Sequence, residues 1–454
     1  MSNVLILGSG ARESALVWKL KKSNKLKNIY LSPGNGGTID CNVNLDFNEI
    51  SKFVNNNNID FVIPGSETYL AKGITNILEK ETNTCVVGPN IFSSQLETSK
   101  SFAKNFMKEN KIPTANYKEF TSLSSAKNYI KDKNVPFVIK ANGLAGGKGV
   151  VVVNKKEDAV IGLESISNKF GKDCFPIIIE DFLKGIEVSM FILCDGKDYI
   201  ILPEGKDYKQ LLEKNRGPNT GGMGAISPSP NVSLSFVKKV EERIIKPTLR
   251  NIEFKGFLFL GLMDVDGEPF VIEYNVRLGD PESTVILPRL ENDFIEILES
   301  YKTKSLSGIK VKYSSKCAAT IVLASKGYPE SYQKGFPIEI NRKNDTMIFH
   351  AGTSFKENKL LTNGGRVLCI TSLKNTIGDA INNCYDQADD IKYKNKVYRR
   401  DIGFEFITWL KALGYHSFSK TFILLCNTLT VSPFSIFTSF WKITSPLSTL
   451  PGST

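Results

Sequence analysis

The chain is poor in the residues that build metal clusters and covalent frameworks. Its 454 residues include only two histidines, His350 and His416. The eight cysteines, Cys41, Cys85, Cys174, Cys194, Cys317, Cys369, Cys384 and Cys426, never approach a Cys-x-x-Cys spacing. Structural zinc sites draw four such ligands together at short intervals, so zinc chemistry is not expected. Several of the cysteines sit inside apolar runs, as reduced thiols of a cytoplasmic protein do. No leader-like stretch precedes the first apolar pattern, Val4-Leu5-Ile6-Leu7, and no targeting segment is expected. Internal repeats and long low-complexity tracts are also lacking, apart from the short polar run Asn55 to Asn58.

What is present is ordinary globular composition, with 41% hydrophobic and 23% charged residues. The length calls for two to four packed units. A net charge of +11 would suit a polyanion if the lysines clustered, but they are interspersed with acids, as in Lys19 to Lys27 and Glu291 to Lys304. A solvated lysine-rich surface is expected, with neither nucleic acid nor membrane as partner.

Val4 to Leu7, the turn Gly8-Ser9-Gly10 and the periodic Leu16, Val17 and Leu20 read as strand, turn and helix. Further apolar runs at Ile29 to Leu31, Phe61 to Ile63 and Val86 to Val87 imply a parallel sheet through about residue 95, followed by a helix over Lys100 to Lys111. From Pro136 the runs are β-rich: Phe137 to Lys140, Val150 to Val153, Ile177 to Glu180, Val188 to Leu193 and Tyr199 to Leu202. A last alternating block, about 317 to 403, carries strands at Ala318 to Ala324 and Arg366 to Thr371. The fold class is therefore mixed: α/β at the start, α+β beyond.

Four segments carry chemistry. Gly8-Ser9-Gly10-Ala11-Arg12-Glu13 places small residues before a helix amino-terminus, where backbone N–H groups can receive phosphate. It lacks the third glycine and the later acid of a dinucleotide fingerprint, and a second glycine turn, Ser32 to Thr38 with Gly34, Asn35, Gly36 and Gly37, suits a phosphorylated sugar better than NAD. Lys140 to Val150 holds Gly143, Gly146, Gly147 and Gly149 between Lys140 and Lys148, an anion-cradling hairpin without the Ser or Thr of a Walker A loop. On a strand, alternation puts Glu273, Asn275 and Arg277 on one face, where oxygen ligands suit magnesium and the guanidinium suits a carboxylate. The following turn adds Asp280, Pro281 and Glu282. Arg216 to Ala225, with Asn219, Thr220, Gly221, Gly222 and Met223, is too glycine-rich for an element interior and reads as a substrate-covering loop.

At these residues the chain closely resembles the phosphoribosylamine–glycine ligase family of the ATP-grasp superfamily, over roughly residues 1 to 403. Gly217 to Ala225 and Asn275 to Glu282 carry the resemblance most specifically, joined by Ser99-Lys100, Phe102-Ala103-Lys104, Phe349 to Thr353, Asn363 to Leu368 and Tyr398 to Gly403. Ala11, Ser14, Asn142, Tyr208 and Ser283-Thr284 depart from the family's usual residues.

The resemblance implies a Rossmann-like domain over 1–100, an ATP-grasp domain over 101–327 with a mobile lid at about 122–190, and a β-rich domain over 328–403. It implies ATP contacts at Lys100, Lys140, Lys148 and Gly143 to Gly149, adenine at Glu180, Asp181, Phe182 and Leu183, and a ribose hydroxyl at Glu187. Glu273 and Asn275 are the implied ligands of Mg2+ or Mn2+, with Arg277 and Lys148 as catalytic residues. Substrate contacts are implied at Gly8, Gly10, Arg12, Glu13, Gly34 to Gly37, Asn219 to Met223, Arg277 and Asp280 to Glu282. The implied reaction joins glycine to 5-phosphoribosylamine at the expense of ATP in the cytoplasm, by a monomer or weak homodimer. The alternatives are another ATP-grasp carboxylate–amine ligase or a non-catalytic ATP sensor. Residues 404–454, nearly uncharged beyond Lys420, are expected to lie outside the catalytic fold, so that truncation after Gly403 would leave activity and stability nearly unchanged.

Overall fold

A computed structural model describes residues 1–146, 149–342 and 345–406. Gly147, Lys148 and the segment 407–454 lie outside the described residues.

The amino-terminal sheet is parallel, in the order Leu26–Pro33, Ser2–Gly8, Phe61–Pro64, Cys85–Val86. Both faces of Ser2–Gly8 are covered, which is why its sequence is a continuous apolar run rather than an alternation. The helix Ala11–Leu20 follows at once, its first turn tied down by the Glu13 carboxylate, which accepts from Gly10 N at 2.6 Å. Ser99 caps the helix Lys100–Glu109 through Phe102 N.

Two antiparallel sheets face each other across the middle of the chain. One runs Tyr117–Phe120, Ile177–Asp181, Phe137–Lys140, Val150–Val153. It is backed by the helices Leu123–Asp132 and Asp158–Phe170 around its own small core of Phe137, Ile139, Leu163 and Ile177. The other runs Tyr199–Ile201, Ile186–Asp195, Lys255–Val265, Glu268–Asn275. Strand ends bring Lys140 from the first sheet and Glu273 and Asn275 from the second to the same cavity.

The carboxy-terminal sheet orders Lys206–Asp207, Gly224–Ser227, Cys317–Ser325, Arg366–Lys374 and Met347–His350, with the helix Ile377–Asp390 packed on Cys317–Ser325 and Arg366–Lys374. Here the loop expected over Arg216 to Ala225 is corrected. Arg216–Asn219 and Gly224–Ser227 are strands, and only four residues join them. Glycine density in this stretch reflects close packing: a Cβ on Gly224 would lie 2.8 Å from Ile402 and 2.9 Å from the Thr320 carbonyl. The expected break at residue 404 also falls too early. Phe406 is 4% exposed in the carboxy-terminal core, and Glu405 accepts from Tyr208 Oη at 3.2 Å and pairs with Lys206 at 3.4 Å. The tail reading is left with 407–454 alone.

Candidate active site

The cavity between the two middle sheets, about 390 Å³, is lined by charged side chains that satisfy one another. At one end Glu180 receives two lysines, Lys140 at 3.0 Å and Lys104 at 3.2 Å, all three buried. Lys140 also donates to the Ile272 carbonyl at 3.1 Å, so this lysine ties its own sheet to the strand Glu268–Asn275. Lys104 is anchored through Thr114, whose hydroxyl donates to the Val271 carbonyl. Burial lowers Lys104 to about 8 despite its carboxylate partner. Lys100, one helical turn earlier, donates to the carbonyl of Gly143 at 3.1 Å and so holds the start of the glycine hairpin.

In the middle, Lys209 stands 3.6 Å from both Glu187 and Glu273. Burial by itself would lift the Glu273 carboxyl, but Lys209, Lys140, Lys100 and Arg277 together hold it down to about 2. At the far end Arg277 pairs with Glu97 at 2.8 Å and Glu67 at 3.4 Å and donates to Asn275 Oδ1 at 3.0 Å. Glu97 accepts from Val276 N as well, which fixes the backbone between Asn275 and Arg277. Asp280 pairs with Arg366 at 3.1 Å and accepts from Arg12 N at 3.3 Å.

Glu273 and Asn275 fit a hard divalent cation by donor chemistry, one firmly ionised carboxylate and one amide oxygen, and they are neighbours, with Asn275 Nδ2 3.5 Å from Glu273 Oε1. Two protein oxygens is the number expected where nucleotide phosphates complete the shell, and no cluster of three or more acidic, His or Cys ligands occurs among the described residues.

Most of the residues singled out in the sequence meet here. Arg12, Lys100, Lys140, Gly146, Gly149, Glu180 to Leu183, Glu187, Asn219 to Gly221, Glu273, Asn275, Arg277, Asp280 and Glu282 all line the cavity. Gly8, Gly10 and Glu13 line a second, adjoining cavity that shares Arg12. Three placements differ from the sequence reading. Gly34 to Gly37 line neither cavity and pack against the carboxy-terminal domain: Asn35 Nδ2 donates to the His350 carbonyl at 3.0 Å, and Gly36 N donates to Thr353 Oγ1 at 3.1 Å. Met223 is 1% exposed and its backbone pairs with Tyr208 and Val322, inside the sheet. Gly222 lies where a Cβ would meet Pro281 Cδ at 2.5 Å, so these two residues are a packing pair. Lys148 and Gly147 lie outside the described residues.

The sequence reading gave no role in the site to Lys104, Lys209, Asp207, Glu67, Glu97 and Arg366, all of which line the cavity. Three of these carry a readable signal. Lys104 follows Lys100 at i,i+4 on one helix face, and Asp207 and Lys209 stand two apart in extended chain, hence on one side.

Comparison of the whole chain with known proteins identifies its family. The model of the phosphoribosylglycinamide synthetase N domain matches residues 2–97, that of the ATP-grasp (A) domain residues 98–283, and that of the C domain residues 318–405. The chain belongs to the phosphoribosylglycinamide synthetase family. A phosphoribosylamine–glycine ligase of Clostridium acetobutylicum is 40% identical over 415 residues, covering 88% of this chain and 99% of that one. The crystal structure of phosphoribosylamine–glycine ligase from Thermotoga maritima superposes with a TM-score of 0.77 at 34% identity, over 88% of this chain and 99% of that one. A biotin carboxylase–βγ-ATP complex from Campylobacter jejuni, 15% identical, shares the fold with a TM-score of 0.64 over 87% of this chain and 92% of that one. Family membership brings with it the ATP-grasp fold, which binds ATP generally with a divalent metal. Among the described residues no helix is long and apolar enough to cross a membrane.

Proposed function

We propose that this cavity ligates glycine to 5-phosphoribosylamine with ATP, through glycyl phosphate, yielding glycinamide ribonucleotide, ADP and phosphate in de novo purine synthesis. The observation that carries the reading is the gradient of charge along one cavity in a chain of this family: lysines around Glu180, the ionised Glu273 beside Lys209, then Arg277 held between Glu67 and Glu97.

A glycine carboxylate would have to expel oxide to acylate an amine, so it is first converted to an acyl phosphate. Lys140 would neutralise the phosphate chain, a role the sequence also suggests for Lys148, while Glu180 to Leu183 would meet the adenine and Glu187 the ribose. Glu273 and Asn275 would hold magnesium or manganese, which supplies charge neutralisation at the transferring phosphoryl group when bound. Because acyl phosphates hydrolyse, the small sheet carrying Lys140 and Val150–Val153 serves as the cover that keeps water out. Arg277 is oriented before substrate arrives, since Glu97 binds both its guanidinium and the neighbouring Val276 N–H. Arg12 and the Gly8–Glu13 turn, with Asn219 to Gly221 opposite, form the sugar-phosphate end.

The test is ADP release with glycine and freshly formed phosphoribosylamine, each omitted in turn. Dependence on both is expected; turnover that needs neither sinks the ligase reading.

A further inference from the structure

Nine carboxylates line the cavity, and eight of them have a partner. Glu67 and Glu97 hold Arg277, Glu180 holds Lys104 and Lys140, and Asp280 holds Arg366. Asp181 pairs with Lys133 at 2.6 Å, Glu187 and Glu273 share Lys209, and Glu282 accepts from Ser189 Oγ at 3.3 Å. Asp207 is the exception. It is 7% exposed, it lines the cavity, and its carboxylate makes no hydrogen bond or ion pair among the described residues. A buried carboxylate left without a partner costs stability, and such groups persist where they do chemistry.

Its position is set by the strand that carries it. Asp207 pairs with Ala225 across the carboxy-terminal sheet, and Tyr208 turns the other way, into the core beneath. Asp207 and Lys209 therefore share the cavity side, and Lys209 reaches Glu273, beside which phosphoryl transfer is placed. The groups facing Asp207 are Lys209 and Lys206, which favour its charge, and Glu282 and Glu187, which oppose it. Burial outweighs the lysines and raises the Asp207 carboxyl well above the usual carboxylate range, so that it can take up and release a proton closer to neutral pH.

We infer that Asp207 is the general base of the ligation step, taking the proton that the phosphoribosylamine nitrogen must lose. The inference rests on the function proposed above. The amine nitrogen forms a C–N bond to the carbonyl carbon of glycyl phosphate while its N–H proton passes to an Asp207 oxygen. Collapse of the adduct breaks the carbonyl C–O bond, phosphate leaves with that electron pair, and the proton on Asp207 then goes to the phosphate or to water. Formation of glycyl phosphate needs no such base, so Asp207 acts only in the second half of the reaction.

Asp207→Asn separates the halves. Hydroxylamine, which is unprotonated and strongly nucleophilic at neutral pH, replaces phosphoribosylamine as the acceptor and reports glycyl phosphate as the hydroxamate. The variant is expected to lose about 100-fold or more in ligation rate while hydroxamate formation falls less than about 5-fold. In the wild type, ligation should rise with pH along a limb displaced above the ordinary carboxylate range, and the variant should lack that limb. If Asp207→Asn does not fold, Asp207→Ala with and without formate replaces it, and restoration of ligation by formate is the expected result. Equal loss of both reactions, unimpaired ligation, or an alanine variant that formate does not rescue overturns the inference. A wild-type enzyme that makes neither hydroxamate nor ligated product from glycine overturns the proposed function instead.

Discussion

Two glycine turns at the same end of the amino-terminal sheet, Gly8 to Glu13 and Gly34 to Thr38, read alike in sequence and do different work in the structure. The first opens onto both cavities through Arg12. The second is closed: Asn35 donates to the carbonyls of Ser9 and His350, and Gly37 lies against the His350 ring so tightly that a Cβ would come within 2.2 Å of it. Glycine at Gly8 makes room for the Glu13 carboxylate, whereas glycine at Gly37 makes room for another domain. Composition alone does not separate a phosphate-ready turn from a joint; what separates them is the side chain that fills the space the glycine leaves.

If this division holds, changes at the cavity alter turnover and changes at the joint alter stability. The largest effect belongs to the cavity. Glu273→Ala and Asn275→Ala are each expected to lower turnover by about 100-fold or more, since a charge contact at the transferring phosphoryl group is lost. Their melting temperatures should stay near wild type, and near-normal rates at limiting magnesium would falsify the metal assignment.

At the joint, His350 is buried, and that burial, aided by Arg342, pushes its ring down to about 4. The unfolded chain therefore takes up a proton near pH 6.5 that the folded chain refuses. The stability present above pH 6.5 is lost as pH falls toward 4, by up to about 3 kcal/mol from this group. Denaturant titrations at pH 7 and pH 4.5 of wild type and His350→Gln measure it: the variant should lose less on acidification, and equal losses would place the acid sensitivity elsewhere. Gly37→Ala is expected to cost about 1–3 kcal/mol, because the buried ring it meets cannot swing away as a flexible chain end would. Its KM for each substrate should be unchanged; a raised KM for phosphoribosylamine alone would return the second turn to the substrate site.

Much of this was legible in the sequence, for identifiable reasons. Strand and helix periods located the parallel sheet, the glycine hairpin after Lys140 and the acid strand at Glu273, because each is a local pattern. What local pattern cannot supply is the partner across space. Nothing adjacent to Arg277 announces that Glu67 and Glu97, some 200 residues earlier, already neutralise it. Nor does the run Gly217 to Ala225 disclose that its glycines are required by the closeness of Ile402 and Pro281. Residues from 404 onward read as a foreign tail because the family resemblance ends at Gly403 and the composition then shifts, yet Phe406 completes the carboxy-terminal core.

The smallest expected effect tests the division within a single strand. Asp207, Tyr208 and Lys209 alternate, so the flanking two face the cavity while Tyr208, 1% exposed, packs beneath them and donates to Glu405 at 3.2 Å. Tyr208→Phe keeps the ring, its packing and the Arg399 guanidinium stacked on it, and removes only the hydroxyl. Glu405 keeps Lys206 as a partner at 3.4 Å, so its carboxylate is not stranded by the change. The cost should therefore be that of one hydrogen bond to a partly compensated acceptor, about 1 kcal/mol. Thermal melts should show a fall of a few degrees with unchanged kcat and KM for all three substrates. A turnover defect without loss of stability would mean that the hydroxyl reaches the chemistry through Asp207 or Lys209, and that the two faces of this strand are not independent.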